Sequence, residues 1–209
     1  MLFDPNCRLC PRLSIFLDAV KRSYPIYHAR PVPPFGDAKP QLLIVGLAPG
    51  LHGANRSGRP FTGDHAGIIL YQTLHKFGFS SHPESKAADD DLRLLGCRIT
   101  NAVKCLPPKN KPEQNEIIMC NRYLQHELES LGDGSSILAL GTIAHDACLR
   151  ALGMRRKDFA FSHGAAHRLP RGRVLHDSYH CSRYNTQTRR LTAEMFDAVF
   201  SSIRARLSA

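Results

Sequence analysis

The chain has 209 residues, of which 43% are hydrophobic, enough apolar material for one domain with its own core. No window approaches the roughly 18 consecutive apolar residues of a membrane span, and residues 1–10 lack the apolar centre of a secretory signal, so we expect neither a membrane protein nor a secreted one. The 28 Lys and Arg outnumber the 18 Asp and Glu, and the net charge of +10 predicts a polyanionic partner, with nucleic acid the first to test. Seven cysteines, an odd number, argue for free thiols or metal ligands in a reducing, cytoplasmic setting.

Strands and helices alternate along the predicted chain. Apolar residues at helical spacing predict helices over residues 9–24, 65–77, 112–131, 143–152 and 193–207. Short apolar, β-rich runs predict strands over residues 41–45, 97–103, 135–140 and 173–179. Thr142 is placed to cap the helix that follows it. The alternation predicts one α/β domain over residues 1–209, with a parallel sheet covered by helices on both faces and with sites in the loops after the strands.

The positive charge is concentrated near the C-terminal end of the sequence. Residues 150–209 contain twelve Arg or Lys and four Asp or Glu, so this segment carries most of the excess. Most of these cations are arginines, whose planar guanidinium groups suit phosphate oxygens. A merely solvated surface is the alternative interpretation.

Four cysteines have spacings typical of metal ligands. They are Cys7 and Cys10, which form a C-x2-C pair, together with Cys105 and Cys120. Four thiolates suit a tetrahedral zinc ion or a four-iron cluster, and the spacing alone does not choose between them. Cys97 and Cys148 lie in strand and helix contexts and are interpreted as small buried side chains.

A glycine-rich loop follows the first predicted strand, and it ends at Asp64. Glycines at this density allow backbone N–H groups to approach a ligand closely. Asp64 stands just before a predicted helix, where it can act as an N-cap or as a catalytic carboxylate. Phe61 in the same loop is either a core residue or a stacking platform for a planar ligand.

Three strings of this sequence resemble the signature regions of the family 5, or type B, uracil-DNA glycosylases. They are GLAPGLHGANRSGRPFTGD at residues 46–64, NAVKC at residues 101–105 and HCSRYNTQTRRLT at residues 180–192. The resemblance extends over nearly the whole chain. It implies a three-layer α/β/α domain around a central four-stranded parallel sheet, and removal of uracil and some other deaminated bases from DNA. It also implies a [4Fe-4S] cluster held by Cys7, Cys10, Cys105 and Cys120, which places iron–sulfur ahead of zinc.

The matched motifs give each candidate residue a role in base removal. The predicted catalytic residues are Asp64, which orients water, Asn101, which holds the base or a water, and His180, which donates to the base as charge develops. The residues expected to bind the extruded base are Gly46, Ala48, Gly50, Asn55, Phe61 and Asn101. The residues expected to contact DNA are Arg56, Arg183, Tyr184, Asn185 and Arg190. Because no lysine stands out in the catalytic loops, we expect a monofunctional glycosylase without lyase activity.

The third string departs from the family pattern at two positions. The family more often has Pro or a small aliphatic residue in place of Cys181, and Gly in place of Arg189, so the backbone of this loop is expected to differ. The sequence does not determine which base is preferred, and we expect hypoxanthine and xanthine to be substrates beside uracil. The expected partner is double-stranded or single-stranded DNA that contains such a base. We expect a monomer.

Two other functions compete with the glycosylase. A non-catalytic DNA-binding module with a structural or redox-sensing iron–sulfur cluster would use the same basic surface, but it would not need Phe61, Asn101, Asp64 and His180 together. A zinc-dependent hydrolase would need an open metal site, whereas four cysteines close the coordination shell.

Overall fold

The computed structural model describes residues 2–208. The strands over these residues are β1 (Phe35–Gly36), β2 (Leu42–Gly46), β3 (Cys97–Asn101), β4 (Ser136–Leu140), β5 (Ala166–Arg168) and β6 (Val174–Ser178). The α-helices are α1 (Pro11–Ser23), α2 (Ala54–Ser57), α3 (His65–Lys76), α4 (Gln114–Glu129), α5 (Thr142–Ala151), α6 (Arg183–Gln187) and α7 (Ala193–Leu207). None of the helices in this part of the chain is both long and apolar enough to cross a membrane.

The strands form one sheet in the order β1-β3-β2-β4-β6-β5. The four inner strands are parallel, and they are the four strands that the sequence predicts. The edge strands β1 and β5 pair antiparallel with β3 and β6. Both edge strands are very short and partly exposed, so they lack the apolar run by which the inner strands were found.

Helices cover both faces of the sheet, which confirms the predicted three-layer arrangement. In β2, Leu43 and Val45 pack on one face with side chains of α4 and α5, and Leu42 and Ile44 pack on the other with side chains of α3 and α7. All five residues of β2 are buried. Burial on both faces explains why these strands are continuous apolar runs without polar alternation.

The N-terminal helix α1 packs beside this sandwich. Its residues Leu17 and Val20 form a smaller cluster with Tyr27, Ala29 and Leu106. The segment before α1 is attached to the main core, because Phe3 contacts the ring of Tyr123 edge-on at 5.8 Å between centroids. This arrangement brings the first residues of the chain against α4.

The predicted element boundaries differ from the observed ones by a few residues. Thr142 is the first helical residue of α5 and not its cap, because Gly141 occupies the cap position with φ of +95° and no side-chain cap bond forms. β3 ends at Asn101 although apolar residues continue to Val103. Ala102 and Val103 instead donate backbone hydrogen bonds to Gly46 and Leu47, which keeps the loops after β2 and β3 together.

Candidate active site

A cavity of about 360 Å³ lies outside the carboxyl ends of the parallel strands. The chain runs from β2 to β3 on one side and then to β4 on the other, and open α/β sheets bind ligands where the strand order reverses in this way. The cavity is lined by Leu47, Ala48, Pro49, Gly50, Ala54, Phe61, Asp64, Ala66, Asn101, Asn110, His180 and Ser182. It therefore brings together the three predicted catalytic residues and four of the six predicted base-binding residues, with Asn101 belonging to both groups.

Phe61 forms one wall of the cavity. Its side chain is buried, and its ring stacks on that of His180 with centroids 6.0 Å apart and planes 29° apart. Its backbone has φ of +54°, a left-handed conformation that is uncommon for an aromatic residue and is typical of functional sites. A Cβ at Gly46 would lie 2.7 Å from Cζ of this ring, so Gly46 permits the ring to lie against the end of β2.

Asn101 is the last residue of β3 and is buried at the base of the cavity. Its Oδ1 atom has no hydrogen-bond partner among the described residues. An unpaired buried amide oxygen is costly, and a ligand N–H group or a water can satisfy it. Gly46 also makes room for this side chain, because a Cβ there would lie 2.4 Å from Oδ1.

Asp64 is the N-cap of α3 and also lines the cavity. Its Oδ1 accepts a hydrogen bond of 2.9 Å from the Gly67 N–H. Its Oδ2 lies over Gly50 and Gly53, where a Cβ at Gly53 would approach to 2.4 Å. Burial raises the pKa of this carboxyl group, and the Gly67 hydrogen bond opposes that shift. The capping and the catalytic interpretations of Asp64 are therefore compatible, one for each oxygen.

His180 follows β6 and faces Phe61 across the cavity. Burial lowers the pKa of its imidazole to about 4, so the ring is neutral at pH 7. Its backbone carbonyl accepts a 2.8 Å hydrogen bond from Nδ2 of Asn185. A neutral imidazole still has one N–H group, which can donate a hydrogen bond to a developing negative charge.

Gly46 and Asn55 are the predicted base-binding residues that lie off the cavity wall. Gly46 supports the wall through the two close approaches described above. Asn55 is fully buried in α2, and neither polar atom of its side chain has a partner among the described residues. Its backbone N–H and C=O bond to Gly50 and Ala29, which connects the glycine-rich loop to the segment after α1.

The four predicted metal ligands line a second cavity, on the α1 and α4 side of the molecule. Cys7, Cys10, Cys105 and Cys120 are all free thiols. Burial, together with the neighbouring Cys120, Glu116 and Cys7, raises the pKa of Cys10 to about 11. A bound cation or cluster favours the ionised form of such buried thiols, because thiolates coordinate soft metals. The residues thus fit a four-thiolate group.

Comparison with known proteins agrees with this geometry. Residues 33–204 match the family model of the uracil DNA glycosylase superfamily. The chain is 52% identical to a type-5 uracil-DNA glycosylase of Thermus thermophilus over 91% of this chain and 89% of the relative. It is 42% identical to one from Pyrobaculum aerophilum over 90% of this chain and 84% of the relative.

The chain belongs to the type-5 uracil-DNA glycosylases. The resemblance seen in the three sequence strings is thereby confirmed. The crystal structure of Pedobacter heparinus SMUG2 matches with a TM-score of 0.53 at 13% identity, over 100% of this chain and 94% of that one. At this identity the match supports the fold alone.

The predicted DNA-contacting residues of this type-5 glycosylase lie in α2 and in residues 183–190, which include α6. Arg183 and Tyr184 are exposed in α6, which begins three residues after His180, and Arg56 is exposed in α2. Arg190 stacks over the ring of Tyr179 at 4.7 Å. Asn185 is partly buried and uses its amide N–H within the loop, where it holds the His180 carbonyl.

Asn110 is a cavity residue that the sequence analysis did not find. It lies in the turn after Pro107 and Pro108, where both Lys109 and Asn110 have φ near +55°. Asparagine is among the residues that adopt this conformation most readily. The available signal was an Asn next to two prolines in a loop after a strand, but sequence alone does not say that this turn folds back over the cavity.

Proposed function

We propose that this protein removes uracil from DNA by hydrolysing the N-glycosidic bond, leaving an abasic site. The observation that carries this proposal is the joint placement of Phe61, Asp64, Asn101 and His180 in one cavity at the carboxyl ends of the parallel strands. The names of the type-5 relatives support the same activity.

The extruded base enters the cavity and stacks on Phe61. Base flipping costs a few kcal/mol of lost stacking, which new contacts in the pocket offset. The ring of Phe61 supplies a stacking surface, and the unpaired Oδ1 of Asn101 accepts a hydrogen bond from an N–H on the edge of the base. Asn101 thereby fixes the orientation of the base.

His180 stabilises the departing base. As the glycosidic bond breaks, positive charge develops on the sugar and negative charge on the base. The neutral imidazole donates a hydrogen bond to an oxygen of the base, and its lowered pKa keeps it in the neutral form at physiological pH. Its stack on Phe61 holds the ring beside the place where the base binds.

Asp64 positions the attacking water. Its Oδ2 faces the cavity while Oδ1 is held by the Gly67 N–H, so the carboxylate is fixed in one orientation. An ionised carboxylate accepts a proton from water and also favours a nearby sugar cation. No lysine lines the described cavity, in keeping with a monofunctional enzyme that forms no Schiff base.

An iron–sulfur cluster is the proposed cofactor, with Cys7, Cys10, Cys105 and Cys120 as its ligands. Bound there, the group would link the N-terminal segment to the loop after β3 and to α4. We assign it this structural role, because the cysteine cavity is separate from the cavity that contains Asp64 and His180.

DNA with a deaminated base is the proposed partner, bound by a single-domain monomer in a reducing compartment. The net charge of +10 and the exposed Arg56, Arg183 and Arg190 support a phosphate-binding surface near the cavity mouth. The small side chains of Ala48, Gly50, Ala54 and Ala66 around the cavity support a second part of the proposal, that hypoxanthine and xanthine are also removed.

The test is release of free base from duplex and single-stranded oligonucleotides that contain one deoxyuridine, beside hypoxanthine, xanthine and thymine. Wild type is expected to release uracil, whereas Asn101→Ala is expected to lose the activity and to keep its DNA affinity and salt dependence. DNA binding without release of any of these bases would overturn the glycosylase and favour the non-catalytic module.

A further inference from the structure

Lys104 is a fully buried lysine that the proposed mechanism does not use. Its side chain is 1% exposed, and its Nζ donates to Glu127 Oε1 at 2.6 Å and to the hydroxyl oxygen of Thr100. Thr100 in turn donates to the same Glu127 oxygen at 3.1 Å. The ion pair is thus enclosed in the layer between β3 and α4.

By itself, this ion pair is expected to contribute little to the free energy of unfolding. Desolvation of a buried Lys–Glu pair cancels most or all of its attraction, and two apolar side chains of similar volume often stabilise a core equally well. The second carboxylate oxygen of Glu127, Oε2, has no hydrogen-bond partner among the described residues, so the carboxylate is only partly compensated for its loss of water. The buried ammonium therefore calls for a second explanation.

Lys104 also contacts the cysteine cavity. Its backbone N–H donates to the Sγ of Cys120 at 3.3 Å, and it lies one residue before Cys105. Among the described residues that line this cavity, Lys104 is the only one with a charged side chain. The backbone C=O of Lys104 is held by Val32 N–H at 2.7 Å, so its position is fixed from both sides.

We propose that the buried ammonium of Lys104 stabilises the cluster held by the four cysteines, from a position that is fixed by the backbone N–H bond of the same residue to the Cys120 sulfur. A four-iron cluster with four thiolate ligands carries net negative charge, and its potential and retention depend on hydrogen bonds to sulfur and on nearby charge. The proposal rests on the iron–sulfur assignment made above. Glu127 then serves to hold the ammonium in place beside Thr100.

The test compares Lys104→Met with the double variant Lys104→Met/Glu127→Met. The single variant leaves Glu127 buried without its partner, so its fold is expected to be less stable, and any loss of iron could follow from that alone. The double variant removes both charges and places two apolar side chains in the core in their stead. Lys111→Met is the matched control, because it changes an exposed lysine on the same segment between Cys105 and Cys120.

Three quantities are measured on each purified protein: iron and sulfide per chain, the rate at which an iron chelator bleaches the visible absorbance, and the melting temperature of the apoprotein. Both Lys104 variants are expected to bleach at least about tenfold faster than wild type, the usual size of an outer-shell effect on metal affinity. The apoprotein of the double variant is expected to melt close to wild type.

Wild-type bleaching of the double variant would overturn the proposal and leave Lys104 as a partner of Glu127 only. Wild-type protein without iron after anaerobic preparation would overturn the cluster assignment, and the role of Lys104 with it. Uracil release by the wild-type protein is scored separately, so failure of the glycosylase proposal is distinguishable from both results.

Discussion

Asp64 uses its two carboxylate oxygens differently, and this allows its two roles to be separated. Asp64→Asn keeps an oxygen for the Gly67 N–H and is an equally good N-cap, but it cannot take a proton from water. We expect this variant to keep the stability of wild type and to lose about 10²–10⁴-fold in the rate of base release. Single-turnover release and a urea denaturation curve measure the two effects.

Asp64→Ala is the companion variant, because it removes both oxygens. It is expected to lose the same activity and also about 1 kcal/mol of stability, the usual cost of losing a cap. Wild-type activity in Asp64→Asn would reduce Asp64 to a capping residue.

Arg189 is the position at which the family resemblance leads us to expect glycine, and its backbone conformation fits that expectation. Its φ is +56°, in the left-handed region that costs an L-residue roughly 1–2 kcal/mol. Arg189→Gly is expected to be about 1 kcal/mol more stable than Arg189→Ala in chemical denaturation, because only glycine avoids this strain. The same pair of substitutions at Arg190, whose φ is not positive, should show the opposite order.

The sequence predicted most of the residues that line the candidate site, but not how they are arranged there. Residue type and position after a strand left other interpretations open for Asp64, Phe61, Asn101 and His180, and the resemblance to the family motifs selected them; the structure places all four in one cavity. Neither the residue types nor the resemblance revealed that Asp64 both caps α3 and faces the cavity, because that depends on the approach of Gly53. Asn110 was missed because only the folded turn brings it to the cavity.

At the scale of elements, α6 contains one residue that is bonded within the His180 loop and one exposed residue that we expect to contact DNA. Asn185 donates to the His180 carbonyl, whereas Arg183 points to solvent from the same helix. We expect Asn185→Ala to slow base release with little change in DNA affinity. Arg183→Ala is expected to weaken binding to any DNA sequence and to reduce the salt slope of log K by about one.

Both effects are measured by binding titrations at several salt concentrations and by single-turnover release. An unchanged salt slope in Arg183→Ala would remove this residue from the DNA surface. A uniform loss of affinity in Asn185→Ala would instead place its side chain on the DNA.

The inner strands were predictable and the edge strands were not, for one physical reason. A parallel strand between two layers of helices is apolar along its whole length, as in β2 and β4, so its sequence alone identifies it. β1 and β5 contribute two and three residues to the sheet edges, and their pairing is decided by neighbours distant in sequence. Helix ends shifted by one or two residues because end fraying and capping depend on local packing.

At the scale of the whole molecule, a buried network joins β5, β6 and α5 close to the His180 loop. Asp177 accepts from His145 Nδ1 at 2.7 Å and from His167 Nε2 at 2.9 Å, while His145 Nε2 lies 2.9 Å from the Phe159 carbonyl. The carbonyl accepts only, so Nε2 donates to it, and an ionised Asp177 beside Nδ1 favours the imidazolium form of His145. Burial lowers the pKa of His145, but the bonds to Asp177 and Phe159 outweigh it and the pKa is raised.

This network should contribute stability that depends on pH. Because the folded pKa of His145 is above its unfolded value, the contribution is complete below the unfolded pKa of about 6.5 and is lost as pH rises through the folded value. We expect His145→Gln to cost about 1.5–3 kcal/mol near pH 6, the worth of charge-assisted hydrogen bonds, and less near pH 9. Denaturation of both proteins at the two pH values gives the difference, and a cost that grows toward high pH would contradict a charged His145.

His180 and His176 act in the opposite direction, since burial lowers the pKa of each to about 4. Their neutral forms are favoured in the folded protein, so they reduce stability as pH falls below about 6.5. The comparison of variant with wild type at each pH is therefore needed to isolate the contribution of His145.

The position of the cysteines in the chain also sets an order of events during synthesis. Cys7 and Cys10 leave the ribosome first, but the other two thiols of their cavity come from the loop after β3 and from α4. Domains fold from the N-terminal end as they emerge, yet this N-terminal pair has no partners until about half of the chain has been made. The proposed cluster, if bound by all four cysteines, would thus be inserted only late in translation or after it, and the thiols of Cys7 and Cys10 would have to stay reduced until then.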